Sequence, residues 1–198
     1  MITAIGDVLR RCYERGWITS RDGNCSLRRA KSIYIYITPS GWRKTIVHPE
    51  HMIKIKLADG HMQIPKGTSP SGELHMHYLL LRGMTRTRAV VHVHPTHVVA
   101  AMYRGFDLQK ICQDFPEIYR YTRIGPTVPA LPAISAELGE ATAQALGVSQ
   151  DDPAGKYDIV GQANHGVCSM AQDPWSAYEH IERLDHICEI VLRSGVSP

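Results

Sequence analysis

Hydrophobic residues recur at helical spacing near both ends of the chain. In the first part, apolar positions separated by three and four residues predict an amphipathic helix over residues 2–15, which Gly16 ends. The last part of the chain shows the same spacing over a longer segment. There Asp173 is expected to cap the helix, Pro174 to occupy its first position and Gly195 to follow its end.

Alternation of apolar and polar positions predicts the strands. Between residues 32 and 38, Ile33, Ile35 and Ile37 alternate with tyrosines, which gives the segment one apolar face. The same alternation, or a short apolar run, predicts further strands at residues 53–57, 61–64, 89–93 and about 157–160.

Further helices are predicted where a capping residue or a proline precedes an apolar stripe. Ser71 is expected to cap one helix, Pro95 to open a second, and a third follows Ser135. The stretch from 105 to 132 is expected to be irregular apart from one short helix near 108–112. Helices interleaved with hairpin-joined strands predict an α/β or α+β domain.

The composition narrows the class of protein. With 198 residues, 43% of them hydrophobic and 21% charged, the chain is predicted to form one globular domain, 1–198. A net charge of +3 is too small to indicate a nucleic-acid partner. Five scattered cysteines without a CxxC pair favour a reducing compartment, and we recognise neither a signal peptide nor a membrane-spanning run. We therefore expect a cytoplasmic protein that does not act on a membrane.

Three histidines form a candidate metal site. His92 and His94 lie two apart on a predicted strand, so both imidazoles point to the same face, and Pro95 ends the strand directly after them. His165 follows the last predicted strand in a polar loop, where Gly166 permits close approach of the backbone. An HxH pair also arises by chance in a chain with 11 histidines. Three imidazoles with an open fourth position are typical of catalytic metal sites.

The remaining histidines lack ligand spacing. His75 and His77 lie two apart on a predicted helix, where about 200° separates them, so they cannot share one ion. We interpret both as structural or interfacial. Six others have no partner at ligand spacing and are also interpreted as structural: His48, His51, His61, His97, His180 and His186.

Glu73 opens one predicted helix and is the candidate residue for proton transfer. Its anion would also gain from the helix dipole, so Glu73 taken alone is better interpreted as a stabilising residue. The Ser71 hydroxyl and free N–H groups near it, together with two further polar turns, could hold a phosphate. No lysine or arginine lies within these turns, so we expect only a modest preference for phosphate: Gly23–Ser26, Thr38–Gly41 and Ser71–Glu73.

In their order along the chain, these motifs resemble the class II aldolase and adducin-head family, which includes metal-dependent fuculose-phosphate and rhamnulose-phosphate aldolases. The resemblance implies a three-layer α/β/α sandwich around a mixed, largely antiparallel sheet, and a C4-symmetric homotetramer. The match is weakest between 105 and 132. The motifs are Gly23-Asn24 with Ser26, Thr38-Pro39-Ser40-Gly41, Pro70-Ser71-Gly72-Glu73, Val90-Val91-His92-Val93-His94-Pro95, Asn164-His165-Gly166 and the helix from Pro174.

The resemblance also implies a role for each matched residue. Glu73 would be the catalytic acid/base, and one divalent ion per chain, zinc or else manganese, cobalt or nickel, would be held by His92, His94 and His165. Several sugar-phosphate aldolases have a hydroxyl residue where this chain has Gly72, which removes one phosphate contact. Tyr119 and Tyr121 are candidates for a tyrosine that a neighbouring subunit contributes. The implied phosphate-binding residues are Gly23, Asn24, Ser40, Gly41, Ser71 and Gly72.

Together, the residues and the resemblance predict a metal-dependent aldolase. It would cleave a ketose, expected to be a ketose phosphate, through a metal-stabilised enediolate, with Glu73 moving the proton. An epimerase or a dehydratase acting on a sugar phosphate could use the same site. The alternative of another class is a non-catalytic interaction domain like the adducin head, which lacks the metal ligands. The expected partner is a small sugar or sugar phosphate.

Overall fold

Strands of the computed structural model, which describes residues 1–86 and 88–195, form one antiparallel sheet. Thr87 and the last three residues of the predicted domain 1–198 lie outside the described residues. The spatial order of the strands is β4-β3-β2-β1-β5-β7-β6. In chain order they are β1 (Asn24–Arg28), β2 (Tyr34–Ile37), β3 (Ile53–Lys56), β4 (Met62–Gln63), β5 (Arg88–Val93), β6 (Ile159–Gln162) and β7 (Gly166–Ala171).

Helices cover both faces of the sheet, which makes a three-layer α/β/α arrangement. The helices are α1 (Thr3–Glu14), α2 (Leu74–Arg82), α3 (Thr96–Tyr103), α4 (Leu108–Cys112), α5 (Pro116–Tyr121), α6 (Ala136–Ala145) and α7 (Pro174–Ser194). α2 and α6 contribute to the core on one face, while α1, α3, α4, α5 and α7 contribute to the core on the other. None of the helices in the described residues combines the length and the apolar character needed to cross a bilayer.

Successive residues of β5 belong to opposite cores, as the alternation of a strand requires. Val91 and Val93 pack in the core beside α1 and α7, whereas Val90 packs in the core beside α2 and α6. The predicted α/β sandwich is confirmed. All pairs of named strands are antiparallel, and the parallel pairing found between described residues is confined to two isolated bridges, Ile124 with Ile159 and Val128 with Gln162.

The prediction that Ser71 caps α2 is wrong. The helix begins at Leu74, and Glu73 is its N-cap residue. The hydroxyl of Ser71 instead accepts a hydrogen bond from the Glu73 amide at 3.3 Å, and the carbonyl of Ser71 accepts one from Leu74 at 3.1 Å. This local turn precedes the helix and occupies the hydroxyl that would otherwise cap it.

Two of the named strands and one named helix were not predicted from the sequence. β7 is buried on both faces, so its residues do not alternate in polarity, and α5 has six residues, too few to display an apolar stripe. β1 does alternate polar and apolar residues, but it has only five residues, and its polar Asn24 and Ser26 are buried. The predicted strand 32–38 is also shorter than expected, since β2 begins at Tyr34 and leaves Ile33 57% exposed. These differences change the number and the bounds of the predicted elements but not the three-layer arrangement.

Candidate metal centre

The two histidines of the HxH motif lie at the end of β5, which is flanked by β1 and β7. His92 pairs with Asn24 of β1 on one side and with Cys168 of β7 on the other, and it is 1% exposed. His94 follows the last residue of β5 and is half-buried. Its amide donates to the carbonyl of Trp17 at 3.0 Å, which holds the backbone in place where the strand ends.

A tight turn between β6 and β7 carries the third imidazole, that of His165. Because β7 pairs with β5, with Val167 opposite Val93, the turn lies beside His94. Glycine is required at position 166 for this approach. A Cβ added to Gly166 would lie 2.5 Å from the carbonyl oxygen of Val93 and 2.7 Å from Cδ2 of His94.

The three imidazoles converge on one point. One ligand nitrogen from each of His92, His94 and His165 lies within 4.8 Å of the other two, and the ring centroids are 4.8 to 5.2 Å apart. The Nε2 atoms of His92 and His94 are separated by 3.3 Å. Two nitrogens bound tetrahedrally to one zinc ion at about 2.0–2.1 Å would be about 3.3 Å apart, so this pair has the dimensions of a metal site.

The protonation of these rings also fits a metal. Burial, and then the neighbouring imidazoles, lower the pKa of both His92 and His94, which keeps the rings neutral at neutral pH. Nδ1 of His92 lies 3.0 Å from the carbonyl oxygen of Val167, which only accepts, so Nδ1 donates and Nε2 presents its lone pair. Nδ1 of His165 is buried without a hydrogen-bond partner among the described residues. The donor set therefore fits a divalent ion.

A polar cavity of about 180 Å³ contains the three imidazoles and Glu73. A cavity of this size accommodates a small polar molecule. The two candidate tyrosines lie elsewhere, exposed on α5, and a contribution from a neighbouring subunit stays a prediction. The wall includes every residue that the resemblance assigns to phosphate binding: Gly23, Asn24, Ser40, Gly41, Ser71 and Gly72.

Glu73 lies in the cavity wall, outside the group of converging ligand nitrogens. It is 8% exposed, and its Oε1 accepts a hydrogen bond from the backbone N–H of Ile134 at 3.1 Å. Ile134 has a φ of 68°, a costly conformation for a β-branched residue. Its side chain covers Gly72, where an added Cβ would lie 2.9 Å from it. A strained loop residue thus holds one carboxylate oxygen, while Oε2 makes no hydrogen bond among the described residues.

Ser26 belongs to one of the turns that could hold a phosphate, but it is fully buried and bonded to His77. Its Oγ lies 2.6 Å from Nδ1 of His77, while Nε2 of His77 forms a short hydrogen bond with Oδ1 of Asn24. The Asn24 oxygen only accepts, so Nε2 of His77 carries the proton and Ser26 donates to Nδ1. Asn24 lines the cavity and uses its oxygen in this bond, so its NH₂ group is the part of the side chain that stays available as a donor.

His77 gives the apoprotein a measurable pH dependence. Burial lowers the pKa of His77 to about 3, whereas the unfolded chain protonates this imidazole below about pH 6.5. The unfolded state therefore binds the extra proton, and folding stability is lost as the pH falls below about 6.5. Between pH 7.5 and pH 5, urea unfolding of apoprotein should lose about 2 kcal/mol more in the wild type than in His77→Gln. Parallel pH profiles for the two proteins would contradict this role.

Two cations also line the cavity, although neither lies in the three turns. Arg21 is exposed and donates through Nη1 to the carbonyl of Gly41 at 2.9 Å, and Lys44 is 2% exposed. The absence of lysine and arginine from the three turns therefore does not mean that the cavity lacks cationic side chains. Nothing in the polar run Arg43-Lys44-Thr45 marks the central residue as buried. Lys44 is buried because it begins the 3₁₀ turn Lys44–Ile46, a feature that the sequence pattern does not show.

Comparison with known proteins finds one family over almost the whole chain. Residues 3–192 match the family model described as "Class II Aldolase and Adducin N-terminal domain". The L-fuculose phosphate aldolase of Methanococcus maripaludis is 27% identical over 189 residues, which cover 96% of this chain and 94% of that protein. The 3-oxo-tetronate 4-phosphate decarboxylase of Pectobacterium atrosepticum is 27% identical over 186 residues, covering 92% and 79%.

A third relative is much longer than this chain. A Nocardia farcinica protein named a probable bifunctional methylthioribose-1-phosphate isomerase/methylthioribulose-1-phosphate dehydratase is 26% identical over 204 residues. This match covers 96% of the chain but 35% of the relative. Among solved structures, the sugar-phosphate aldolase from Thermotoga maritima superposes with a TM-score of 0.80 at 24% identity, covering 100% of this chain and 97% of that one. At 24% identity, this superposition shows only that the two proteins share a fold.

Proposed function

Because the chain belongs to the class II aldolase and adducin N-terminal domain family, we propose that it is a metal-dependent carbon–carbon lyase that cleaves a ketose phosphate. The observation that carries this proposal is the convergence of His92, His94 and His165 in a cavity whose wall also holds Glu73. Each of the three relatives is named for a reaction of a phosphorylated compound, which supports a phosphorylated substrate.

The three imidazoles are proposed to hold one divalent ion. Zinc suits three neutral imidazoles, and manganese, cobalt or nickel are the alternatives. Such an ion supplies Lewis-acid chemistry that stabilises the negative charge of an enediolate. The Val167 carbonyl fixes the ring of His92 through Nδ1 and so directs Nε2 to the ion site.

Glu73 is proposed to move the proton. When the carbon–carbon bond breaks, the hydroxyl group on the departing carbon loses its proton to water and becomes the carbonyl group of the aldehyde. The electron pair of the broken bond remains on the carbon next to the ketone carbonyl, and this carbon must gain a proton to give the released ketone. The hydrogen bond from Ile134 to Oε1 orients the carboxyl group, so Oε2 is the atom that delivers the proton. In the reverse direction Oε2 removes that proton.

Other reactions on the same cavity have support from the relatives. A dehydratase and a decarboxylase match the chain at 26% and 27% identity, as closely as the aldolase does. Both reactions, like epimerisation through bond cleavage, also need negative charge stabilised next to a carbonyl group. A non-catalytic interaction domain would need neither the converging imidazoles nor the buried Glu73.

A substrate panel separates these reactions. Metal-loaded protein should convert at least one ketose phosphate faster than the matching free ketose, with products identified by mass spectrometry. We expect two carbonyl fragments. Dehydration would instead remove one water and keep every carbon, decarboxylation would release CO₂, and epimerisation would leave the mass unchanged. Chelation should abolish turnover and added zinc should restore it. If the metal-loaded protein converts no compound, the interaction domain becomes the better hypothesis.

A further inference from the structure

An ammonium group lies buried in the wall of the candidate cavity. Lys44 is 2% exposed and is among the largest fully buried side chains of the described residues. It lines the cavity together with the polar turns that contain Ser40 and Ser71. Lysine is almost never buried to this degree without a partner, because removing the ammonium group from water costs several kcal/mol.

The contacts within the chain compensate this charge only in part. Nζ of Lys44 donates to the carbonyl oxygen of Pro39 at 3.1 Å. None of the ion pairs between described residues includes Lys44. An ammonium group has three N–H donors, and the Pro39 carbonyl accounts for one of them. Asp22 lines the same cavity, but no carboxylate oxygen of the described residues lies within 4.0 Å of Nζ, so the positive charge in the cavity wall has no ion-pair partner among them.

Lys44 keeps its charge at neutral pH. Burial lowers its pKa to about 8, and the negative charge of Asp22 opposes this shift. At pH 7 most molecules therefore carry an ammonium group beside the cavity. Two neutral donors line the same cavity, because Asn24 bonds to His77 only through its oxygen and Ser71 retains a hydroxyl proton that no hydrogen bond between described residues uses.

We propose that Lys44 is the charged ligand of the substrate's phosphate group and sets the preference for phosphorylated over neutral ketoses. This inference rests on the proposed function and names the residue that selects its substrate class. The Ser40 amide is not free for this task, because it donates to the carbonyl of Ser69 at 2.8 Å. The Lys44 ammonium group can supply a charged donor in its place, and it is buried in the cavity wall, whereas Arg21 is exposed to solvent.

The competing explanation is structural, with Lys44 anchoring the turn at Pro39. Inorganic phosphate distinguishes the two, because its binding needs no turnover. Titration calorimetry on metal-loaded protein should show phosphate affinity reduced about 10- to 100-fold in both Lys44→Gln and Lys44→Met, the loss expected for one charge-assisted hydrogen bond. The matched control is Lys110→Gln, an exposed lysine on α4, which should keep the wild-type affinity.

Two further readouts exclude a general loss of structure. Metal content should stay near one ion per chain in Lys44→Met. Sulfate remains a dianion between about pH 6 and 9, so any change of its affinity in this range comes from the protein. In the wild type the affinity should fall as the pH rises past about 8, where Lys44 loses its charge, and in Lys44→Gln this fall should be absent. Equal phosphate affinity in the wild type and both variants would overturn the assignment, as would a wild type that binds no phosphate. Absence of turnover with the whole ketose panel would instead contradict the proposed function.

Discussion

Replacing His92 with alanine should remove most of the metal from the protein. Two imidazoles remain in this variant, and the site loses the ring whose Nε2 lies 3.3 Å from Nε2 of His94. Loss of residues that merely orient a ligand typically lowers metal affinity 10- to 100-fold, so loss of a ligand should lower it by more than about 100-fold. The metal content measured by elemental analysis after dialysis should therefore fall from close to one ion per chain to a small fraction of that.

Two controls separate ligand loss from misfolding. His92 is 1% exposed, and its removal leaves a cavity in the core, whereas His94 is only half-buried. His94→Ala should lose metal equally with a smaller change in thermal stability. His75 is exposed on α2, and His75→Ala should keep a full complement of metal. Full occupancy in either His92→Ala or His94→Ala would mean that the converging imidazoles do not form the metal site.

The sequence predicts the centre of the cavity well because its parts are short motifs on adjacent elements. His92 and His94 share a strand face, a relation that spacing alone determines. His165 lies near them only because β7 pairs with β5, and β7 was not predicted, since a strand buried on both faces shows no alternation. Its inclusion in the site was predicted from its polar loop after a predicted strand, and the family resemblance implied the same residue.

The sequence does not predict which polar side chains are buried. Ser26 and Lys44 both lie in polar stretches of the sequence. The Ser26 hydroxyl nevertheless bonds to buried His77, whereas Lys44 lines the cavity. The position of Ser26 depends on a contact with His77, which is 51 residues away in the sequence, and that of Lys44 depends on a turn whose direction spacing does not encode. Ile134 escaped prediction for the same reason, because its contact with Glu73 spans 61 residues. The homotetramer stays a prediction.

Replacing Glu73 with glutamine should slow turnover while leaving the metal in place. Glutamine retains an oxygen that can accept the hydrogen bond from Ile134, and it has nearly the same shape, but it cannot take up a proton at neutral pH. General acid–base catalysis is typically worth about 10²- to 10⁴-fold, so kcat should fall by a factor in that range. KM should change little, because the cavity wall keeps its polar turns, and metal content should stay near one ion per chain.

The same variant also tests the interpretation of Glu73 as a helix-start residue. Glu73 is the N-cap residue of α2, and losing its charge there should cost about 0.3–1 kcal/mol of folding stability through the helix dipole. Glu137, exposed in the first turn of α6, provides the matched control, since Glu137→Gln removes the same charge at a helix start away from the cavity. We expect both variants to lose a similar small amount of stability and only Glu73→Gln to lose activity. If Glu73→Gln turns over at the wild-type rate, the carboxylate serves the helix alone and the proton must move through another group.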